Sequence, residues 1–186
     1  MGLRELKKAR TRKMISDLAT GLFIERGYAV VTTAEIAEKA EVSVPTLFNY
    51  FPTKETLVFD EDQEREEKLV RAVTARKKGT PILEALHDLF VEEEAFKPGR
   101  KRHLKAFVKL IDSTPELTLY AKQMWLRHEQ ALAAAIQKES KTKIGQIEAE
   151  AIAHFVLDAF YRSLQAPDPQ KTLISLLEIL KTGWNK

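Results

Sequence analysis

Apolar residues recur along this chain at a helical period and not in alternation. Ile15, Leu18, Ala19, Leu22 and Phe23 fall at i, i+3, i+4, i+7 and i+8, which lines one face of an amphipathic helix. This predicts a first helix over about residues 4–26. Gly27 ends it, since a residue without Cβ takes a left-handed C-terminal turn at little cost. Thr32 and Glu35 have the spacing of a capping box for a short second helix that turns Ile36, Ala37 and Ala40 inward. Glu41-Val42 reads as a tight turn. Ser43 caps a third short helix that tolerates Pro45 in its first turn and presents Leu47, Phe48 and Phe51 as its apolar face. Pro52 stops it, and Thr53 opens a fourth helix running to about residue 77.

The same punctuation continues. Thr80-Pro81, Thr114-Pro115 and Asp168-Pro169 each set a capping residue before a proline at a first helical position. Further helices are predicted over 81–96, 100–111, 115–141, 145–165 and 169–184, nine in all. The stretch 28–32 is the longest strand-like run, and it is short. Seven glycines and seven prolines in 186 residues also favour helices over a turn-rich sandwich or barrel. The expected fold is therefore all-α, with a three-helix helix-turn-helix head over residues 1–52 and a helical body over 53–186.

Charge matters more by place than by sum. The balance is 30 basic against 27 acidic residues, but Arg4, Lys7, Lys8, Arg10, Arg12 and Lys13 crowd the first thirteen positions against Glu5 alone. That segment is either a phosphate or minor-groove contact, or simply a disordered tail or the solvated first turn of helix one. The absence of cysteine excludes disulfides, thiolate metal sites and cysteine nucleophiles. No apolar run approaches the roughly 20 residues needed to span a bilayer. The N-terminus does not read as a signal peptide, and Leu6 breaks the myristoylation pattern. These features lead us to expect a cytoplasmic protein with no membrane partner.

Two short helices across a tight turn form a helix-turn-helix, whose second helix is sized for a major groove. With Leu47, Phe48 and Phe51 as anchors, Val44, Pro45, Thr46, Asn49 and Tyr50 are left facing outward. Asn49 suits an adenine edge or a phosphate, Val44 and Thr46 a thymine methyl, and Tyr50 and Lys54 phosphates. Lys54 is expected in the first turn of a helix, where the dipole disfavours a cation. It is either a phosphate ligand acting with the free N–H groups or a solvated lysine offset by Glu55.

The runs Thr32-Thr33-Ala34-Glu35-Ile36-Ala37-Glu38-Lys39-Ala40-Glu41-Val42-Ser43 and Thr46-Leu47-Phe48-Asn49-Tyr50-Phe51-Pro52-Thr53-Lys54-Glu55-Thr56-Leu57 resemble the DNA-binding head of TetR-family regulators. Phe23-Ile24-Glu25-Arg26-Gly27-Tyr28 resembles that family's end of helix one. The likeness covers about the first 58 residues. Glu41 replaces a glycine often found in the turn, Phe48 stands where tyrosine is common, and Pro45 replaces a small residue. The resemblance implies a transcriptional regulator, most simply a repressor. It would bind a double-stranded DNA operator as a homodimer through Thr33, Val44, Pro45, Thr46, Asn49, Tyr50 and Lys54, and a small-molecule inducer would release it.

It also implies a ligand pocket and a dimer surface in the body. Phe90, Phe107, Tyr120, Met124, Trp125 and Phe155 supply apolar walls, with His128 and Asp158 as polar orienters. Ile152, Val156 and Phe160, with Leu173, Leu177 and Trp184, give the two stripes expected at the interface; the alternative is that both pack inward. No cofactor or metal is expected: His128-Glu129 has no second histidine four residues on. Nucleophile elbow, phosphate loop and HExxH are all missing, so an enzyme is not expected. The competing class is a helical interaction module that has lost DNA binding. Residues 60–67 carry six acids in eight positions, either a solvated face or a loosely packed lever beneath the head.

Overall fold

The computed structural model describes residues 2–93, 101–140 and 142–183. Among these the chain is all-helical: α1 (Leu3–Arg26), α2 (Thr33–Lys39), α3 (Val44–Tyr50), α4 (Asp62–Thr74), α5 (Ile82–Glu92), α6 (Lys101–Asp112), α7 (Pro115–Glu139), α8 (Gln146–Gln165) and α9 (Pro169–Thr182). The helix boundaries follow their caps. Gly27 closes α1 at φ 93°, its N–H donating to Phe23 O at 2.9 Å. Thr32 accepts from Glu35 N–H at 3.1 Å, Ser43 from Thr46 N–H at 3.2 Å, and Asp168 from Lys171 N–H at 3.1 Å. The capping box on α2 is only half made, because the Glu35 carboxylate pairs with Arg26 instead of reaching back.

The expected fourth helix begins late. Residues 52–61 hold only a 3-10 turn, Glu55–Leu57, before α4 starts at Asp62. Leu57, Val58 and Phe59 are all buried, and three successive side chains cannot share one face of an α-helix at 100° per residue. Thr56, not Thr53, makes the local cap: its Oγ1 accepts from Thr53 N–H at 3.3 Å and donates to Thr53 O at 2.6 Å. The strand-like stretch 28–32 is a turn with Val31 fully buried.

The chain packs as two units. The first comprises Met1–Asp62 and Ala106–Ala121, and the second Gln63–Lys105 and Lys122–Lys186. Ile15, Ala19, Phe23, Ile36, Leu47, Phe51 and Leu57 form the centre of the first unit. Phe59 stacks on Tyr120 at 5.0 Å, and the Tyr120 hydroxyl donates to Asp62 at 3.2 Å. In the second unit α9 packs on α8 and α5. Leu69, Val73, Leu86, Phe90, Leu132, Ile136, Phe160, Leu173 and Leu177 fill its core. Small residues on α8, Ala149, Ala153 and Ala159, let neighbouring helices approach closely. Arg76 ties the end of α4 to the end of α7, donating to the Glu139 carboxylate at 3.2 Å and to its carbonyl at 3.1 Å.

Candidate nucleic-acid interface

α2, the Glu41-Val42 turn and α3 form the helix-turn-helix. Glu41 enables the turn with φ 55°, in the left-handed region. α3 has only seven residues, so it needs external support. Leu47 and Phe51, both 0% exposed, fix it to the core from one side. Val44, Pro45 and Asn49 are exposed, and Thr33, Thr46 and Tyr50 are half-buried. The Thr46 hydroxyl is held 2.8 Å from Ser43 Oγ. Phe48 does not anchor the helix as the sequence led us to expect. It is 42% exposed and shares the outward face with Val44, because Leu47 and Phe51, four apart, already occupy the buried edge.

Lys54 also departs from expectation. It precedes the 3-10 turn instead of sitting in the first turn of an α-helix. Its Nζ donates to Tyr28 O at 2.5 Å, 4.3 Å from the Tyr28 ring centroid and 5.3 Å from that of Phe23. Burial lowers its pKa, with Glu55 and Glu116 acting the other way. In this conformation the ammonium serves a backbone carbonyl, and reaching a phosphate requires it to exchange that acceptor. The Tyr28 hydroxyl donates to Glu55 at 3.0 Å; burial first, then this bond, pushes the phenol's pKa up. Burial alone would raise Glu55, but hydrogen bonds from Thr53, its own backbone and Tyr28, with the Lys54 charge, bring it below its usual value.

The basic start of the chain is helical from Leu3, not a loose arm. Two of its six cations are already engaged. Lys13 pairs with Asp17 at 3.1 Å, and Arg12 turns into the unit to bond Tyr50 O and Asp60 O. Sequence reasoning missed Arg12, Tyr28 and Glu55 as residues that hold the first unit together. The bonds from Arg12 and Tyr28 span 27 to 48 positions and leave no local pattern.

The expected pocket residues are divided between the two units. Phe90 and Trp125 line a crevice in the second unit with Arg65, Leu69, Leu89, Glu93, Leu157 and Phe160; these side chains leave no room for a water molecule. Met124 and His128 are buried outside that lining, with the His128 ring 5.7 Å from Trp125. Phe107 and Tyr120 belong to the first unit. Phe155 is 54% exposed, and Asp158 accepts from Arg162 Nε at 2.6 Å across one helical turn. Helical spacing correctly put these residues on helices, but it does not say which faces converge.

The two expected interface stripes divide. Val156, Phe160, Leu173 and Leu177 pack inward in the core of the second unit, at most 4% exposed. Ile152 does face outward. The apolar residues exposed on the same two helices are Ile147, Ile152, Phe155, Ile174, Ile179 and Leu180. Trp184 lies outside the described residues. Among the described residues no cluster of histidine and carboxylate side chains could hold a metal ion, and no helix is long and apolar enough to cross a membrane.

Residues 15–60, the span from α1 through α3 to Asp60, match the family model for bacterial regulatory proteins of the tetR family. The helix-turn-helix segment is thus similar to the DNA-binding head of TetR-family regulators. The chain is 34% identical over 89 residues to the HTH-type transcriptional regulator TcmR of Streptomyces glaucescens, a match covering 48% of this chain. The match spans only 39% of that relative's length. Among solved structures, the Thermus thermophilus TetR-family repressor FadR, in complex with lauroyl-CoA, is 26% identical with a TM-score of 0.56, covering 93% of this chain and 94% of that one. Salmonella enterica GusR, at 18% identity and TM-score 0.59, covers 93% and 92% and shares the fold. The likeness to these two folds runs through the helical body of the chain as well as its head.

Proposed function

We propose that this chain is a transcriptional repressor of the cytoplasm. It binds a pseudo-palindromic DNA operator as a homodimer and is released by a small apolar or amphipathic ligand. One observation carries the reading: α3 presents Val44, Pro45, Thr46, Phe48, Asn49 and Tyr50 on its open side while Leu47 and Phe51 lock its other edge into the core. That is what a major-groove reader requires, since base edges are read within hydrogen-bond tolerance only by a helix that cannot shift. Asn49 supplies a paired donor and acceptor, Thr46 and Tyr50 hydroxyls, and Val44 and Phe48 apolar contacts. A single two-turn helix reads few base pairs, so high specificity calls for a second copy on a two-fold axis. The outward apolar residues of α8 and α9 are the natural surface for it.

The ligand assignment rests on the apolar side chains around the second unit's crevice and on the lauroyl-CoA held by FadR. The test is selection of duplexes from a randomised library by the full chain, followed by binding of the enriched duplex in fluorescence anisotropy. Asn49→Ala with Tyr50→Ala should reduce that binding by about tenfold or more while the protein stays folded. Recovery of no enriched duplex, or unaltered binding by the double variant, refutes the assignment.

A further inference from the structure

Arg12 lies among the basic residues of α1 that invite a reading as phosphate contacts, yet its guanidinium is spent within the protein. One Nη donates to Tyr50 O, the carbonyl of the last residue of α3. The other donates to Asp60 O at 3.2 Å, and the group's carbon lies 4.4 Å from the Phe51 ring centroid. Tyr50 O lies in the last turn of α3, where carbonyls lack helical partners and carry the negative end of the helix dipole. A guanidinium is planar with its donors in a rigid fork, so two carbonyls and a ring face hold it in a defined plane. Asp60 lies two residues before α4. The same group therefore fastens the end of α3 to the segment that leads into α4.

The other supports of α3 lie elsewhere along its length. Ser43 caps its N-terminal end, and Leu47 anchors its middle. Arg12, with Phe51 beneath it, fixes the C-terminal end, next to Asn49 and Tyr50. We propose that Arg12 is a positioning residue for the DNA reader: it pins the C-terminal end of α3 to the core and to residue 60 without itself touching nucleic acid. This rests on the reading of α3 proposed above. Without the pin, α3 pivots about Leu47 and its last turn moves. Hydrogen bonds to base edges tolerate a few tenths of an ångström, whereas long side chains follow a phosphate easily. Sequence discrimination is then lost while non-specific attraction remains.

The experiment uses the full chain, the duplex it enriches from a randomised library and a scrambled duplex of equal length. Arg12→Ala and Arg12→Lys are compared with the wild type across a salt titration, with circular dichroism to establish folding. Arg12→Ala should bind the enriched duplex about tenfold more weakly, the cost of roughly one lost base contact, with binding to the scrambled duplex and the slope of log K against log salt unchanged. Arg12→Lys should fall between, because an ammonium lacks the fork that bridges both carbonyls. A slope shallower by about one, with both duplexes weakened alike, would make Arg12 a phosphate contact and overturn the proposal. Unchanged discrimination with a lowered melting temperature would overturn it in favour of a purely structural role. If Arg12→Ala does not fold, Arg12→Lys is judged by the same criteria. If the wild type enriches no duplex, the DNA-binding reading falls and this inference falls with it; if it does and both variants discriminate like wild type, only the pin falls.

Discussion

Glu41 offers a sharp test of how the turn before the reader is built. Its φ of 55° places an L-residue in the left-handed region, and its side chain is exposed. The conformation is enforced by its neighbours: Glu41 N–H donates to Glu38 O at 3.0 Å and Val42 N–H to Ala37 O at 3.0 Å. A Cβ in this region costs about 1–2 kcal/mol through its approach to the following carbonyl. Glu41→Gly removes that cost but returns about 0.4–1 kcal/mol through the greater freedom of the unfolded chain. The net gain should be about 0.5–1 kcal/mol, or roughly 1–4 °C in Tm for a chain of this length. Glu41→Ala retains the Cβ and should stay within about 0.5 kcal/mol of wild type, while Glu41→Val should be worse than both. Urea titrations followed by far-UV circular dichroism at constant m read the series. DNA affinity should not change, because the backbone keeps its path. If Glu41→Ala stabilises as much as Glu41→Gly, the gain comes from losing a carboxylate and the backbone argument is wrong.

Other expectations follow from the same packing. Leu47→Ala should destabilise by about 2–5 kcal/mol, because a fully buried side chain leaves a cavity under α3; a loss below 1 kcal/mol in urea denaturation would show the helix is not anchored there. Burial, then the Glu61 charge, raises the pKa of Asp60 above 3.8, with Ser16, Lys13 and Arg12 opposing. The folded state therefore holds this proton more tightly than the unfolded state. Its ionised form costs stability at neutral pH, and the cost disappears as pH falls through the folded value towards about 4. Asp60→Asn should raise the urea midpoint at pH 7 and show no such advantage below about pH 4; a lower midpoint at pH 7 would mean the neighbouring cations outweigh burial. Phe155→Glu with Ile174→Glu, both on the exposed apolar face, should convert a sedimenting dimer to a folded monomer. A wild type that sediments as a monomer at micromolar concentration removes that surface from consideration.

The helix-turn-helix was legible because its grammar is local. Thr32, Ser43 and Asp168 announce helix starts within three residues, and Leu47 with Phe51 shows its buried edge by spacing alone. What depends on tertiary placement was not legible. Phe48 is as apolar as Phe51, yet one faces solvent and the other the core, and only the way α3 seats on the first unit's core separates them. The stripe Val156, Phe160, Leu173 and Leu177 has the periodicity of an interface, but periodicity marks a buried face without saying what buries it. Arg12 and Lys54 misled for a related reason. Cations near a reader are expected on phosphates, and both instead meet backbone carbonyls far away in the chain.

The narrow crevice constrains how the proposed ligand could enter there. Phe90, Trp125 and Phe160 touch across it, with the Phe90 and Phe160 rings 4.5 Å apart and those of Trp125 and Phe160 6.3 Å apart. At its edge Arg65 meets Glu93 at 3.3 Å and lies 5.9 Å from the Phe160 ring centroid. No ligand enters without separating these side chains, so its apparent affinity equals its intrinsic affinity reduced by the fraction of molecules already open. Opening exposes aromatic surface at about 25 cal/mol per Å², a cost that an apolar ligand offsets by covering the same surface and a polar one does not. These walls would favour a ligand with an apolar body. The Arg65–Glu93 pair adds a requirement at the rim: a ligand that parts the two charges must satisfy them or leave both in water. A ligand with an apolar tail and a polar end meets both conditions.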